Sequence, residues 1–559
     1  FASEWGLAAL GFLVAAAVAL IVRERLELGR LDLALWAALA LLLGWTLLSA
    51  AWAPSPSQPV LEAERLLVYL AVAICASLVL TRDSADACLA GIAGGAGVVA
   101  AFALVERLVF DQHGGEPLHE PIGYRNAVGI LWVLGLMTAT RAGLLGAAAM
   151  PALATALALT FGRGALVALV AGAAVLAALE PRRFRVLALL PAPALAAGSA
   201  LGHDALRIGA GDVGEASLTV VLVVAATTAM NVVAFRFAPR LEPGPRASRV
   251  LALALGAAAV FAASAAVTRI GDPVDAFRQP LPAGSGDLGA RLISTSGNGR
   301  IEYWQVALEA FERNPLVGIG AGEYARFWVL ERPISFPGRD AHSLYLEVLA
   351  ELGLVGLVLL LAVVVVPVVA LARARPPGSA QAAAAYTAFL VHAALDWDWE
   401  IPAVTATALL CGAVLVVLAR PDAAAKLTAR RRLAGAGLIA PLVVAAAIAH
   451  AGNRALAAST AAIERGDAPD AIAEARRARA WMPWSHQPWQ RLGEARLTAG
   501  DTRSARADLR EALARDAEEW SIWYDLALAS RGDERRRAIA RAASLNPLGP
   551  EIADLRAES

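Results

Sequence analysis

Two arginines and a histidine stand out because each interrupts or borders apolar sequence: Arg163 in LTFGRGAL, Arg300 in SGNGRIEYW and His342 in RDAHSLYLEVLAELGLVG. A guanidinium offers a planar fork of donors that fits a phosphate in two-point contact. Arg300 follows Gly299 at the start of an amphipathic segment, where helix N–H groups would add donors to the same anion. Arg163 lies between two apolar runs, where a charge costs about 2.5–3.5 kcal/mol on insertion scales unless it reaches water or a partner. His342 is suited to proton transfer near neutrality, with an ordinary pKa of about 6.5. Each residue alone also has a plain reading: a solvated surface arginine, a snorkelling anchor and a capping or packing histidine. Together they offer anion binding and proton transfer.

Other residues weigh less. His392 and Asp396 are four apart on one expected helix, so they share a face and could satisfy each other. Gly318, Gly320 and Gly322 read as a tight turn, since a phosphate loop would need a preceding strand and a following lysine. No metal-ligand cluster with recognisable spacing and no Gly-x-Ser-x-Gly elbow occurs in the sequence, so no metal site is expected. The three cysteines, Cys75, Cys88 and Cys411, lie in or beside apolar runs and read as packing groups.

The elements that must position these groups are mostly apolar. Of 559 residues, 58% are hydrophobic and 18% charged, which excludes an ordinary soluble protein. Net charge is zero, so bulk charge does not argue for nucleic acid. Apolar runs give about fourteen expected spans. They cover 5–22, 31–50, 66–81, 87–108, 127–140, 142–160, 164–180, 186–202, 217–235, 250–268, 352–371, 380–395, 401–419 and 433–450. Basic residues crowd alternate connections, 23–30, 181–185, 236–249, 373–375 and 420–432. By the positive-inside rule those face the cytoplasm, which places the polar insertion 269–351 and everything after 451 outside it. Within the insertion, Ile301, Trp304, Leu308 and Phe311 form the expected apolar face of a helix, with Glu302, Gln305, Glu309 and Glu312 opposite.

Residues 452–559 are charged, alanine-rich and helical in period. Gly466-Asp467 recurs as Gly500-Asp501, Ala471 as Ala505 and Trp489 as Trp523, each 34 residues on. The period and the Trp489-x-x-Leu492-Gly493 pattern resemble tetratricopeptide repeats, about three of them, with a concave face for a protein partner. The expected fold is therefore all-α. A polytopic bundle of about 12–14 membrane helices over 1–451 carries a large extracytoplasmic loop, followed by a tetratricopeptide-type α-solenoid over 452–559.

The segments SGNGRIEYWQVALEAFERNPLVGIGAGEY and DAHSLYLEVLAELGLVG resemble the signature of the O-antigen ligase and polymerase superfamily. LSAAWAPSP (48–56), PIGYRNAVGI (121–130), LTFGRGAL (159–166) and HAALDWDWEIP (392–402) resemble other segments of it, so the likeness spans about residues 30–420. Gly162 and Ser343 depart from the family's usual serine and asparagine. The resemblance implies glycan transfer from a polyprenyl diphosphate carrier to an acceptor hydroxyl, at the outer face of the inner membrane, without metal, nucleotide or other cofactor. It makes Arg163 and Arg300 the phosphate clamp, His342 the general base, and Tyr124, Asn126 and Asp396 groups lining the site. Ligase, polymerase and protein O-oligosaccharyltransferase share this chemistry and differ in the acceptor: glycan, lipid or protein. A polytopic transporter or a membrane scaffold with a docking module is the reading from another class. A transporter would show a repeat among its spans, and a scaffold would leave the three residues without a shared purpose.

Overall fold

The computed structural model describes residues 2–110, 116–207, 213–237, 277, 296–336, 338–373, 376–421 and 425–557. Each expected span falls on a helix except 250–268, which lies outside the described residues, as does 269–295 apart from Phe277. Among the described residues, six helices are long and apolar enough to cross a membrane: Ala2–Val22, Arg30–Ala51, Ala85–Leu108, Ser217–Phe237, Leu344–Arg373 and Ala429–Glu464. Shorter apolar helices, Arg125–Ala139, Gly143–Leu159, Arg163–Leu179, Val186–Gly202 and Pro402–Leu418, accompany them. The described residues are all-α apart from a two-residue antiparallel pairing of Arg25–Leu26 with Ala425–Lys426. This is consistent with a polytopic membrane protein.

The chain divides into two units, one of residues 1–79, 302–366 and 422–559, the other of residues 80–301 and 367–421. In the first, Ala2–Val22 packs on Ser57–Val79 and Ala429–Glu464. Its buried stripe is Trp5, Ala9, Leu13, Ala16 and Leu20, at helical spacing. Its opposite side exposes Leu7, Val14, Val18 and Ile21. A helix apolar on both sides suits lipid on the side that no protein covers. Gly6 permits the approach of Ala429–Glu464, since a Cβ there would stand 2.5 Å from the His450 amide nitrogen.

The insertion's described part builds its own core from Tyr303, Val306, Ala307 and Ala310 of the helix Arg300–Arg313, with Tyr324, Phe327 and Trp328 of Tyr324–Glu331. The buried face is thus rotated from the expected Ile301, Trp304, Leu308 and Phe311 stripe, and Leu308 is 42% exposed. Tyrosine and alanine take the inside because the tyrosine rings stack against neighbours and the alanines let the helix approach closely.

After this helix the chain forms an interlock. Leu344–Arg373 breaks at Gly353, whose φ of 66° and ψ of −164° only glycine adopts readily. Ile319 and Gly320 donate to the carbonyls of Ala350 and Glu351, while Leu354 and Val355 donate to those of Pro315 and Leu316. The glycine run is therefore a docked turn, with Gly318, Gly320 and Gly322 all at positive φ. A Cβ at Gly320 would meet that of Ala53 at 2.7 Å, and Ser49 Oγ accepts from the Ala321 amide. The 48–56 loop thus closes over the turn.

From Ala468 the same unit continues as helix pairs. Gly466 and Gly500 turn the chain at φ of 76° and 79°, and Asp467 and Asp501 cap the helices that follow. Trp489 and Trp523 pack on a core of Ala505, Leu509, Ile522 and Leu526. The recurring tryptophans are therefore packing groups.

In the second unit, Arg163–Leu179 lies against Ser379–Ala393. Gly172 makes this contact close, because a Cβ there would be 2.9 Å from the Ala384 carbonyl oxygen. Arg125–Ala139 packs on Ala85–Leu108 through Gly135 and Ala96. Cys75 and Cys411 are buried and Cys88 half-buried, and all three are free thiols.

Candidate active site

The second unit gathers three of the expected site residues, Arg300, Tyr124 and Asn126, on the carboxylate of a fourth, Asp396. Ser296, Asn298 and Gly299 make the turn that starts the helix Arg300–Arg313, with Asn298 and Gly299 both left-handed. Asparagine and glycine tolerate that conformation better than other residues. Arg300 then donates from Nε to the Leu395 carbonyl at 2.7 Å, from Nη1 to the Gly297 carbonyl at 3.2 Å, and from Nη2 to Asp396 Oδ2 at 2.9 Å. Tyr124 donates its hydroxyl to Asp396 Oδ1 at 2.6 Å, Asn126 donates to Oδ2, and the Trp397 amide donates to Oδ1 at 2.9 Å. Asp396 is 1% exposed, so its charge depends on these donors. Burial and then the adjacent Asp396 charge hold the Tyr124 phenol well above its ordinary range, which keeps it a donor. The Tyr124 ring lies on Trp397, with centroids 4.6 Å apart.

Arg163 opens its helix after a left-handed Phe161 and donates to the Ser296 carbonyl at 2.7 Å, next to the turn that carries Arg300. Its guanidinium feels the charge of Arg300 and then that of Arg125. Arg163, Arg300 and Arg125 are close enough to repel one another, a grouping whose charge a bound anion would offset. Two of the five Arg300 N–H groups make no hydrogen bond among the described residues, so the side chain keeps donors to offer.

The side chains of His392 and Asp396 do not hydrogen-bond to each other. The helix Ser379–Ala393 ends before Asp396, whose amide donates to the His392 carbonyl at 3.0 Å while its carboxylate turns to Arg300. His392 Nδ1 instead lies 3.1 Å from Asp398 Oδ1, both fully buried, and His392 Nε2 faces Gly164. Asp398 escaped sequence reasoning because it sits six residues on, beyond helical spacing. Its only signal was a second aspartate in DWDWE.

His342 belongs to the first unit. Its Nδ1 lies 3.1 Å from the Asp340 carbonyl oxygen, which can only accept, so Nδ1 carries a hydrogen. The ring stacks on Tyr303, with centroids 4.9 Å apart and planes 3° apart. Tyr303 in turn packs on Trp328 at 4.3 Å. The His342 backbone is left-handed at φ 53°, an uncommon conformation of the kind that clusters at functional sites. Glu347, itself buried, accepts from the Ala341 amide at 2.8 Å and fixes the preceding peptide.

Residues 214–361 match the family model described as O-Antigen ligase. That stretch contains Arg300 and His342, while Arg163, Tyr124, Asn126 and Asp396 lie outside it. The match supports the O-antigen ligase superfamily and a membrane glycosyltransferase-like role in polysaccharide assembly. No curated protein matches the chain.

Proposed function

We propose that this protein transfers a glycan from a polyprenyl diphosphate carrier to an acceptor hydroxyl at the outer face of the inner membrane. The observation that carries this reading is the O-Antigen ligase match over 214–361, a stretch that holds both Arg300 and His342. Arg163 and Arg300 bind the diphosphate and stabilise the charge that grows on it. His342 Nε2 takes the proton of the acceptor hydroxyl as its oxygen bonds to the anomeric carbon. The bond from that carbon to the diphosphate oxygen breaks, and the diphosphate leaves with the electron pair. General-base help of this kind is worth roughly 10²–10⁴ in rate. Asp396, with Tyr124 and Asn126, fixes the Arg300 fork. The donor carries its own activation, so the reaction calls for neither nucleotide nor metal. The helix pairs after Ala468 are of tetratricopeptide kind and lie outside the cytoplasm in this reading.

Analysis of surface glycans and lipid-linked intermediates in a deletion strain tests the proposal. Single-unit lipid-linked species accumulate if a polymerase is lost, and unattached full-length polymer accumulates if a ligase is lost. Wild-type glycans in the deletion strain, or in one carrying only His342→Ala, would refute it.

A further inference from the structure

Three successive turns of the C-terminal helix pairs share an unusual property. The turn after Ala468–Trp481 carries Ser485 and His486, the turn after Thr502–Leu513 carries Asp516, and the turn after Gly532–Leu545 carries Asn546. Turns of a repeat array ordinarily face water. Here Ser485, His486, Asp516 and Asn546 are each at most 3% exposed.

What covers them is the same chain, within the same unit. His486 Nδ1 lies 3.1 Å from Ser57 Oγ at the start of the helix Ser57–Val79. Asp516 Oδ2 accepts from Arg326 Nη2 at 2.6 Å, and Asn546 Oδ1 accepts from Arg332 Nη2 at 2.8 Å. Arg326 and Arg332 lie within and just beyond the short helix Tyr324–Glu331. That helix presents Trp328 to Tyr303, the ring on which His342 stacks. Arg332 Nη1 and Trp328 Nε1 both donate to the Phe336 carbonyl at 3.3 Å, six residues before His342. An eight-residue helix is too short to be stable alone in water, so its position must come from outside it.

We infer that the inter-pair turns of the C-terminal array are an internal brace that positions His342 through Arg326 and Arg332. The array therefore acts first on its own chain and not as a platform for another protein. This inference rests on the proposed role of His342. Asp516 and Asn546 are positioning residues and touch no substrate.

Hydrogen exchange and transfer kinetics on the purified full chain in detergent test this, with Asp516→Asn and Asn546→Ala made separately in case one fails to fold. Each variant should speed exchange of the Tyr324–Glu331 amides by about tenfold or more, because the local opening loses a buried tie. Exchange in Ala468–Trp481, which neither side chain touches, should stay unchanged. Each should lower kcat by roughly tenfold at unchanged KM for the lipid-linked donor, as misplacement of a base does. Unchanged exchange in Tyr324–Glu331 overturns the brace, as does faster exchange with unchanged kcat. Loss of activity in cells with both purified-protein readouts intact overturns it in favour of a separate protein partner. His342→Ala, run alongside, separates the two readings. If it keeps full transfer the base assignment fails, while the exchange data still decide whether the turns hold the segment.

Discussion

Arg300 and Asp396 meet at 2.9 Å, the carboxylate 1% exposed and the arginine side chain 16% exposed. Tyr124, Asn126 and the Trp397 amide complete the carboxylate's shell. The pair is an orienting device: with the Leu395 and Gly297 carbonyls it holds all three guanidinium nitrogens of Arg300 in place.

Removing the carboxylate leaves that guanidinium without its counter-charge. Asp396→Ala is expected to destabilise the protein by about 3 kcal/mol or more, the cost of breaking a buried pair. Asp396→Asn, which keeps the shape, should cost less. Thermal unfolding in detergent checks this, and equal melting of the alanine variant and the wild type would contradict it.

Lysine cannot replace Arg300. The side chain donates in three directions, from Nε, Nη1 and Nη2, to two carbonyls and a carboxylate. An ammonium reproduces a point charge but not the fork. Arg300→Lys should therefore lose glycan transfer nearly as fully as Arg300→Ala, measured on membranes with a lipid-linked donor.

Tyr303 gives the His342 ring its plane. His342→Ala should lower transfer by roughly 10²–10⁴. Tyr303→Leu, which keeps the base but loses the stack, should lower it by about tenfold through misorientation. Should the leucine variant be the worse of the two, the order of roles is reversed.

Gly353 sits where a Cβ would press on the backbone of Leu316, at a φ and ψ that only glycine adopts readily. Gly353→Ala is expected to cost about 1–3 kcal/mol from the conformation alone. A melting temperature within error of wild type would show that the break relaxes elsewhere.

Glu323 supplies a pH dependence. Its carboxyl is pushed up from 4.5 to about 8 by burial, which outweighs the pull of Arg326, with Asp516, Glu519 and Glu518 adding to the rise. A raised carboxyl favours the neutral form in the folded state. Its contribution to stability is thus complete below about pH 4.5 and is lost as pH climbs toward 8. Glu323→Gln stays neutral throughout, so the variant should gain in melting temperature over wild type as pH rises from 5 to 9. A constant difference across that range would rule this out.

The spans were legible because run length is a direct count of what a bilayer requires. The 34-residue recurrence was legible because glycine and aspartate mark the same turn each time. The interlock at Gly353 was not, since peptide groups pairing across some thirty residues leave no side-chain pattern. The inner face of Arg300–Arg313 was misread because tryptophan and leucine outweigh alanine on any apolarity count. His392 was paired with Asp396 on the assumption of a helix that ends too early. Family likeness offered Tyr124, Asn126 and Asp396 only as groups lining the site; nothing in their spacing indicates that Tyr124, Asn126 and Arg300 all donate to the Asp396 carboxylate.

Around the break at Gly353, the Ala350 and Glu351 carbonyls and the Leu354 and Val355 amides pair with Pro315 to Gly320, and the Leu352 carbonyl accepts from Trp45 Nε1. Neither stretch is self-sufficient. A hybrid that borrows the outer loop from one homologue and the following span from another would juxtapose halves shaped for different mates. Such grafts should succeed only when both stretches are inherited together, as one indivisible cassette.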